Sequence, residues 1–115
     1  MDDAYQESTA VLPMVETRPR QTPLWHVVLL DDDEHTYDYV IEMLTKLFRH
    51  DAETAYRMAC EVDATGHVIV ETTVFERAEF KRDQIHAHGC DWRIEDSPGS
   101  MYATLERATP DRRNV

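Results

Sequence analysis

"LWHVVLLDDDEHTYDYVIEMLTKLF", residues 24 to 48, decides how this chain folds. Its opening run, Leu24 to Leu30, is nearly all apolar, with β-branched and aromatic side chains. Such a run suits a strand buried on both faces or set at the centre of a small sheet. Further on, Tyr37, Val40, Ile41, Leu44, Leu47 and Phe48 fall at i, i+3, i+4, i+7, i+10 and i+11. That spacing is one stripe of an amphipathic helix. Between strand and helix stand Asp31, Asp32, Asp33 and Glu34. The helix starts near His35 or Thr36, and the aspartates before it favour the positive end of its dipole.

Working outward, Asp51 is placed to cap a second helix with Ala52, Ala55, Tyr56, Ala59 and Val62 along one side. Gly66 suits its left-handed stop. "HVIVETT" (67 to 73) alternates as a strand, and "TVFE" (73 to 76) has the spacing of a capping box. A third helix is expected from there to about Gly89, with Val74, Ala78 and Ile85 inward. "CDWRIEDSPGS" (90 to 100) reads as a loop. "MYATLE" (101 to 106) alternates as a last strand, with Met101, Ala103 and Leu105 on one face. The order strand, helix, helix, strand, helix, strand gives an α+β domain with helices packed on one face of three strands.

Residues 1 to 23 show no period, carry Pro13, Pro19 and Pro23, and read as a disordered tail with one sticky piece, "AVLPMV". The folded domain is expected over 24 to 108, with 109 to 115 a frayed end. The whole chain of 115 residues suits one core.

Asp and Glu total 23 against 12 Lys and Arg, a formal net charge of -11. Nucleic-acid binding is not expected, because phosphate contacts need clustered basic side chains. Val27 to Leu30, the longest apolar run, is far below the roughly 20 residues that cross a bilayer. The acidic "MDDAYQES" start has no apolar signal region. Two cysteines, Cys60 and Cys90, make no disulfide framework. A cytoplasmic setting with reduced thiols fits.

One aspartate at a strand end is ordinarily a cap or a turn. Three followed by a glutamate exceed that need and point to binding. A phosphorelay receiver also ends its first strand in acids, but needs a later strand ending in Asp and a Lys after the last strand. Here the last strand ends in Glu106 and Arg107, and the order of elements lacks the alternation of a doubly wound fold. A calcium loop counted from Asp31 puts Thr36 where Gly is required. What remains is a cation: an ammonium offers three N–H donors to clustered carboxylates in short charge-assisted bonds. Beside an apolar helix wall, the N-terminus of a peptide has that character.

"WHVVLLDDDEHTYDYVIEMLTKLF", "EVDATG", "TVFERAEFK" and "ATLERA", in this order and spacing over residues 24 to 108, resemble the ClpS adaptors of the Clp protease system. The loop near Cys90 to Gly99 is several residues longer than the family's. The resemblance implies three antiparallel strands with three helices. It implies an adaptor, without catalysis, cofactor or metal of its own. Such an adaptor binds the N-terminal residue of a substrate protein and docks on the N-terminal domain of a ClpA- or ClpC-type AAA+ unfoldase. A monomer is expected, with a part for the N-terminal tail in the hand-over.

On this resemblance the substrate amino group falls to Asp31, Asp32, Asp33 and Asp63. The family's Asn-Asp-Asp has become three aspartates, and its "VH..G" histidine is Asp63. The apolar pocket takes His35, Tyr37, Val40, Ala59, Val62 and Met101. Of these, Tyr37 stands where the family carries a Met gate and Ala59 where it carries another Met. Docking on the unfoldase falls to Glu76 and Lys81, which match the family. Two other readings stay open: a receiver-like or metal-binding acidic domain, and a Clp modulator that docks without taking N-degrons.

"HAHGC" (86 to 90) lacks the second ligand pair that zinc requires and reads as a helix end with basic side chains. Cys60 is expected as a small buried hydrophobe. No Ser-His-Asp or Cys-His order and no phosphate-binding glycine loop is present, so an enzyme is not expected.

Overall fold

A computed structural model of the chain describes residues 22–32, 34–97 and 99–109. The expected tails, at 1–21 and 110–115, and Asp33 of the acidic run lie outside the described residues.

Strand β1 spans Leu24–Leu30, followed by helices α1 (Tyr37–Phe48) and α2 (Ala52–Thr65). Strand β2 is His67–Val74, helix α3 is Phe75–His86 and strand β3 is Tyr102–Arg107. The sheet order is β2-β1-β3, with both pairings antiparallel. The nearly continuous apolar run of β1 thus sits at the centre, with ladder partners on either side. Leu29 faces Val68 on one side and Ala103 on the other.

The helices cover one face. Val27, Leu29, Val68, Val70 and Ala103 of the sheet pack with Val40, Met43, Leu44, Ala59, Val62, Ala78 and Ile85 of the helices. The stripe on α1 is broader than the sequence spacing implies, because Tyr39 and Met43 are buried too. Tyr39 is accommodated because its hydroxyl donates to the Gly89 carbonyl at 2.6 Å, which satisfies the polar end of a buried ring. On α2 Tyr56 is exposed instead, and Val74 lies exposed at the edge of α3.

Local chemistry explains most boundaries. Thr36 caps α1 by accepting the Tyr39 N–H, and Asp51 caps α2 by accepting the Thr54 N–H. Gly66 ends α2 at φ 91°, a conformation that costs glycine little. The expected capping box at Thr73 does not form. Thr73 stays in the ladder opposite Trp25, and Val74 takes the cap position without a side-chain hydrogen bond. Helix α3 stops at His86 rather than near Gly89. At that end, His86 Nε2 accepts the Ala103 N–H at 3.0 Å and so binds this corner to β3.

The register of β1 against β2 shifts between Val27 and Val28: Val27 faces Glu71 and Val28 faces Ile69. Val70 is the residue left over, as in a β-bulge. The His50 imidazole hydrogen-bonds its carbonyl at 2.8 Å, so the linker between α1 and α2 is fixed to the irregular strand.

Candidate functional site

Where β1 ends, its acids meet the far end of α2. The Asp31 N–H donates to the Gly66 carbonyl at 3.0 Å, which closes the strand end onto the cap of α2. One turn back along α2 stands Asp63, exposed. Tyr37, in the first turn of α1, donates its hydroxyl to Asp63 Oδ2 at 2.7 Å. That hydrogen bond, with the Asp63 charge behind it, pushes the phenol up to about 12. The structure therefore joins Tyr37, expected as a gate, to Asp63, expected as an acid of the amino-group site.

Asp32 works locally. Its carboxylate accepts the Glu34 N–H at 2.9 Å and a bond from His35 Nδ1 at 3.0 Å. The other ring nitrogen of His35 meets the Gly99 carbonyl at 2.6 Å. Both partners are acceptors, so the ring lies between two groups that can each take an N–H. This ties the 90–100 loop to the strand end. His35, expected in the apolar lining, thus bridges Asp32 and Gly99 through its two ring nitrogens.

Val40, Ala59, Val62 and Met101 lie together in the core, each at 4% exposure or less. Tyr37, at 38%, is the expected lining residue that reaches solvent. Beside it along α2 come Tyr56 and Cys60. The Tyr37 and Tyr56 rings stand 6.1 Å apart at 56°, and Cys60 adjoins both phenols. Cys60 is half-buried, not the buried hydrophobe expected, because it lies at the seam between these rings. Its spacing from Tyr56 was visible in the sequence as one helical turn; its neighbour Tyr37 was not.

The two residues expected to dock on an unfoldase part company. Glu76 is exposed in the first turn of α3. Lys81 is 9% exposed, its ammonium donating to the Leu47 carbonyl and resting 5.4 Å from the centre of the Phe48 ring. Burial, with the nearby Arg77 guanidinium, lowers its pKa.

Sequence reasoning missed Asp91 altogether, reading it as loop. It is fully buried. Its Oδ2 accepts the Thr36 N–H at 3.0 Å and the Thr36 hydroxyl at 2.9 Å. Its Oδ1 accepts from the Arg93 N–H at 3.1 Å and its guanidinium at 3.2 Å. Burial pushes this carboxyl up, but the four hydrogen bonds outweigh it and hold the group at about 2. Asp91 thereby fixes the start of α1, and with it Tyr37. No sequence signal distinguished it from the other acids of the loop.

Among the described residues, no three or more His, Cys, Asp or Glu side chains gather as a metal site, and no helix is long and apolar enough to cross a membrane.

The fold and this corner define a small α+β recognition domain, with acidic and aromatic side chains set where a central strand meets two helices. The model of the family "ATP-dependent Clp protease adaptor protein ClpS" matches residues 20–91. An adaptor of this name from Vibrio cholerae is 36% identical over 103 residues, covering 90% of this chain and 85% of its own length. Another, from Nautilia profundicola, is 36% identical over 63 residues, covering 55% of this chain and 65% of its own. Agrobacterium fabrum adaptor 1 is 28% identical over 97 residues, covering 77% and 83%. In fold, the chain is similar to Agrobacterium tumefaciens ClpS2, solved bound to L-phenylalaninamide. That likeness has a TM-score of 0.66 at 24% identity and covers 76% of this chain and all of the other. The chain belongs to the ClpS family and is an adaptor of the ATP-dependent Clp protease.

Proposed function

We propose that this adaptor takes client proteins by their free N-terminus, with the α-ammonium received by Asp31, Asp32, Asp33 and Asp63. The first side chain then turns toward Val40, Ala59, Val62 and Met101. One observation carries the reading: the Asp31 N–H bond to Gly66 brings the acidic end of β1 at Asp31 to the end of α2, one turn past Asp63. Carboxylates from two segments then face one small cation, which is the arrangement an ammonium requires. L-phenylalaninamide, the ligand of the similar ClpS2 structure, has that chemistry, a free ammonium beside an apolar side chain.

The adaptor would carry no chemistry of its own and act in the cytoplasm as a monomer. It would present the exposed α3 face around Glu76 to the N-terminal domain of a ClpA- or ClpC-type unfoldase. Lys81 supports that face by anchoring α3 to the last turn of α1, rather than as a free contact.

The test is fluorescence anisotropy with peptides beginning in Leu, Phe, Trp, Tyr, Arg or Ala, each with a free and an acetylated N-terminus. At least one free peptide should bind, and acetylation should abolish its binding. Equal affinity for the free and acetylated forms would refute recognition of the ammonium.

A further inference from the structure

Side chains alternate along a strand. With Val27 and Leu29 in the core, Leu24, Val28 and Leu30 of β1 therefore point to the face of the sheet that the helices, among the described residues, leave open. Neighbouring strands extend this face: Leu24 pairs with Val74, and Val28 with Ile69 and Thr104. Leu24, Ile69 and Val74 are 43%, 41% and 40% exposed. Toward the Leu30 end lies a hollow of about 380 Å³, lined by Val28, Leu30, Gly66, His67 and Thr104 among others. Connected apolar surface of this kind marks a place where another segment packs.

The chain that leads into β1 carries an apolar piece within reach, "AVLPMV" at residues 10 to 15. Val15 stands nine positions before Leu24. Nine residues span at most about 30 Å, and a strand of seven is about 20 Å long. The piece can thus reach the whole open face if the chain reverses, and Pro19 and Pro23 suit a reversal. A link so short keeps it at an effective concentration of about millimolar, where modest apolar contact suffices. Pro13 has no N–H to add to a ladder, which favours packing on a face over pairing at an edge. The link itself carries Arg18 and Arg20, and Glu106 is exposed on the same face, opposite His26. A second copy is a poorer cover, because each chain has a net charge of -11 and the two repel.

We propose that residues 10–15 fold back onto the open face of the sheet, with Leu12 and Met14 seated against Val28, Leu30 and Ile69. Leu12 and Met14 are two positions apart and so share one side of an extended segment. The unbranched methionine fits an irregular hollow. This surface is separate from the N-terminal recognition site and does not depend on it.

The experiment is methyl NMR of the full chain, beside a variant carrying Leu12→Asp and Met14→Asp, both checked for folding by circular dichroism. In the unaltered chain, nuclear Overhauser contacts should join the Leu12 or Met14 methyls to those of Val28, Leu30 or Ile69. In the variant, the Val28, Leu30 and Ile69 methyl signals should shift while those of Val40 and Val62, in the core, stay in place. Ile69→Asp, at an exposed position, should abolish the contacts from the other side. Their absence in the unaltered chain would overturn the proposal. Contacts found only between differently labelled copies in a mixed sample would assign the face to a second copy and also overturn it. Contacts from an added N-terminal peptide to Ile69, with none from Leu12 or Met14 before its addition, would assign the face to the client with the same result.

Discussion

Thr36 and Asp91, which lie 55 positions apart, are joined twice: the Thr36 N–H and hydroxyl both reach Asp91 Oδ2, at 3.0 and 2.9 Å. The same hydroxyl accepts the Tyr39 N–H at 3.1 Å, so one threonine caps α1 while being held by the loop. The loop after α3 therefore fixes the helix start next to the candidate site. Around it, Arg93 also reaches Glu42 at 3.1 Å, farther along α1.

Asp91→Asn should destabilise the fold by about 2–4 kcal/mol, because an amide N–H₂ would face donors in a buried place. Urea unfolding measures it; a loss under about 0.5 kcal/mol would show the network to be incidental. The pH dependence has a definite sign. The folded carboxyl at about 2 lies below its ordinary 3.8. Its contribution, on the order of 2 kcal/mol, is therefore present above about pH 4 and is lost as pH falls toward 2. The asparagine variant should lack that part of the acid slope.

Tyr37 and Asp63 can be followed by NMR titration of the tyrosine ring carbons. The Tyr37 phenol, at about 12, should return toward 10 in Asp63→Asn. A raised phenol favours the protonated form, so whatever the bond adds to stability is present below pH 10 and fades as pH rises from 10 to 12. An unmoved Tyr37 titration in the variant would mean that the bond does not persist in solution.

Arg49 ends α1 in the left-handed conformation, φ 62°, at a position exposed to solvent. A glycine adopts that conformation without the crowding a Cβ brings. Arg49→Gly should raise stability by about 1 kcal/mol, a Tm gain of about 4 °C. An unchanged or lower Tm would show that the arginine side chain compensates the strain through contacts.

Lys81→Ala removes both the aliphatic stem and the donor to the Leu47 carbonyl, and should cost about 1–3 kcal/mol. Lys81→Met keeps most of the stem and should recover about 1 kcal/mol of that loss. Capture by an unfoldase N-terminal domain, measured alongside, separates two roles. If the methionine variant captures normally, Lys81 serves the fold of the docking face; if it fails while folded, the ammonium makes the contact itself. Glu76→Ala, at an exposed position, should weaken capture with Tm unchanged.

Much of the fold was legible because its signals are local. The period of 3.6 from Tyr37 to Phe48, the caps Thr36 and Asp51, and the Gly66 stop each act within a few residues. Where a signal had a competitor it failed: Thr73 had the spacing of a capping box, but pairing opposite Trp25 holds it in the ladder. The candidate site was legible in its acids and in Tyr37, and illegible in its connections. That His35 bridges Asp32 to Gly99, or that Tyr56 stands beside Tyr37, depends on how elements distant in sequence are set against each other.

By itself, then, the amino-acid order determined six elements, their sequence along the chain, and an acidic strand end beside an amphipathic helix. Periodicity and capping require only neighbours, and neighbours are written in the chain. Tertiary structure alone decided that Asp91 holds the start of α1, that Lys81 is withdrawn from solvent, and that the Tyr37 hydroxyl rests on Asp63. Each of those pairings closes a long stretch of chain, and the core packing that brings the ends together selects the partner from many equally suitable residues.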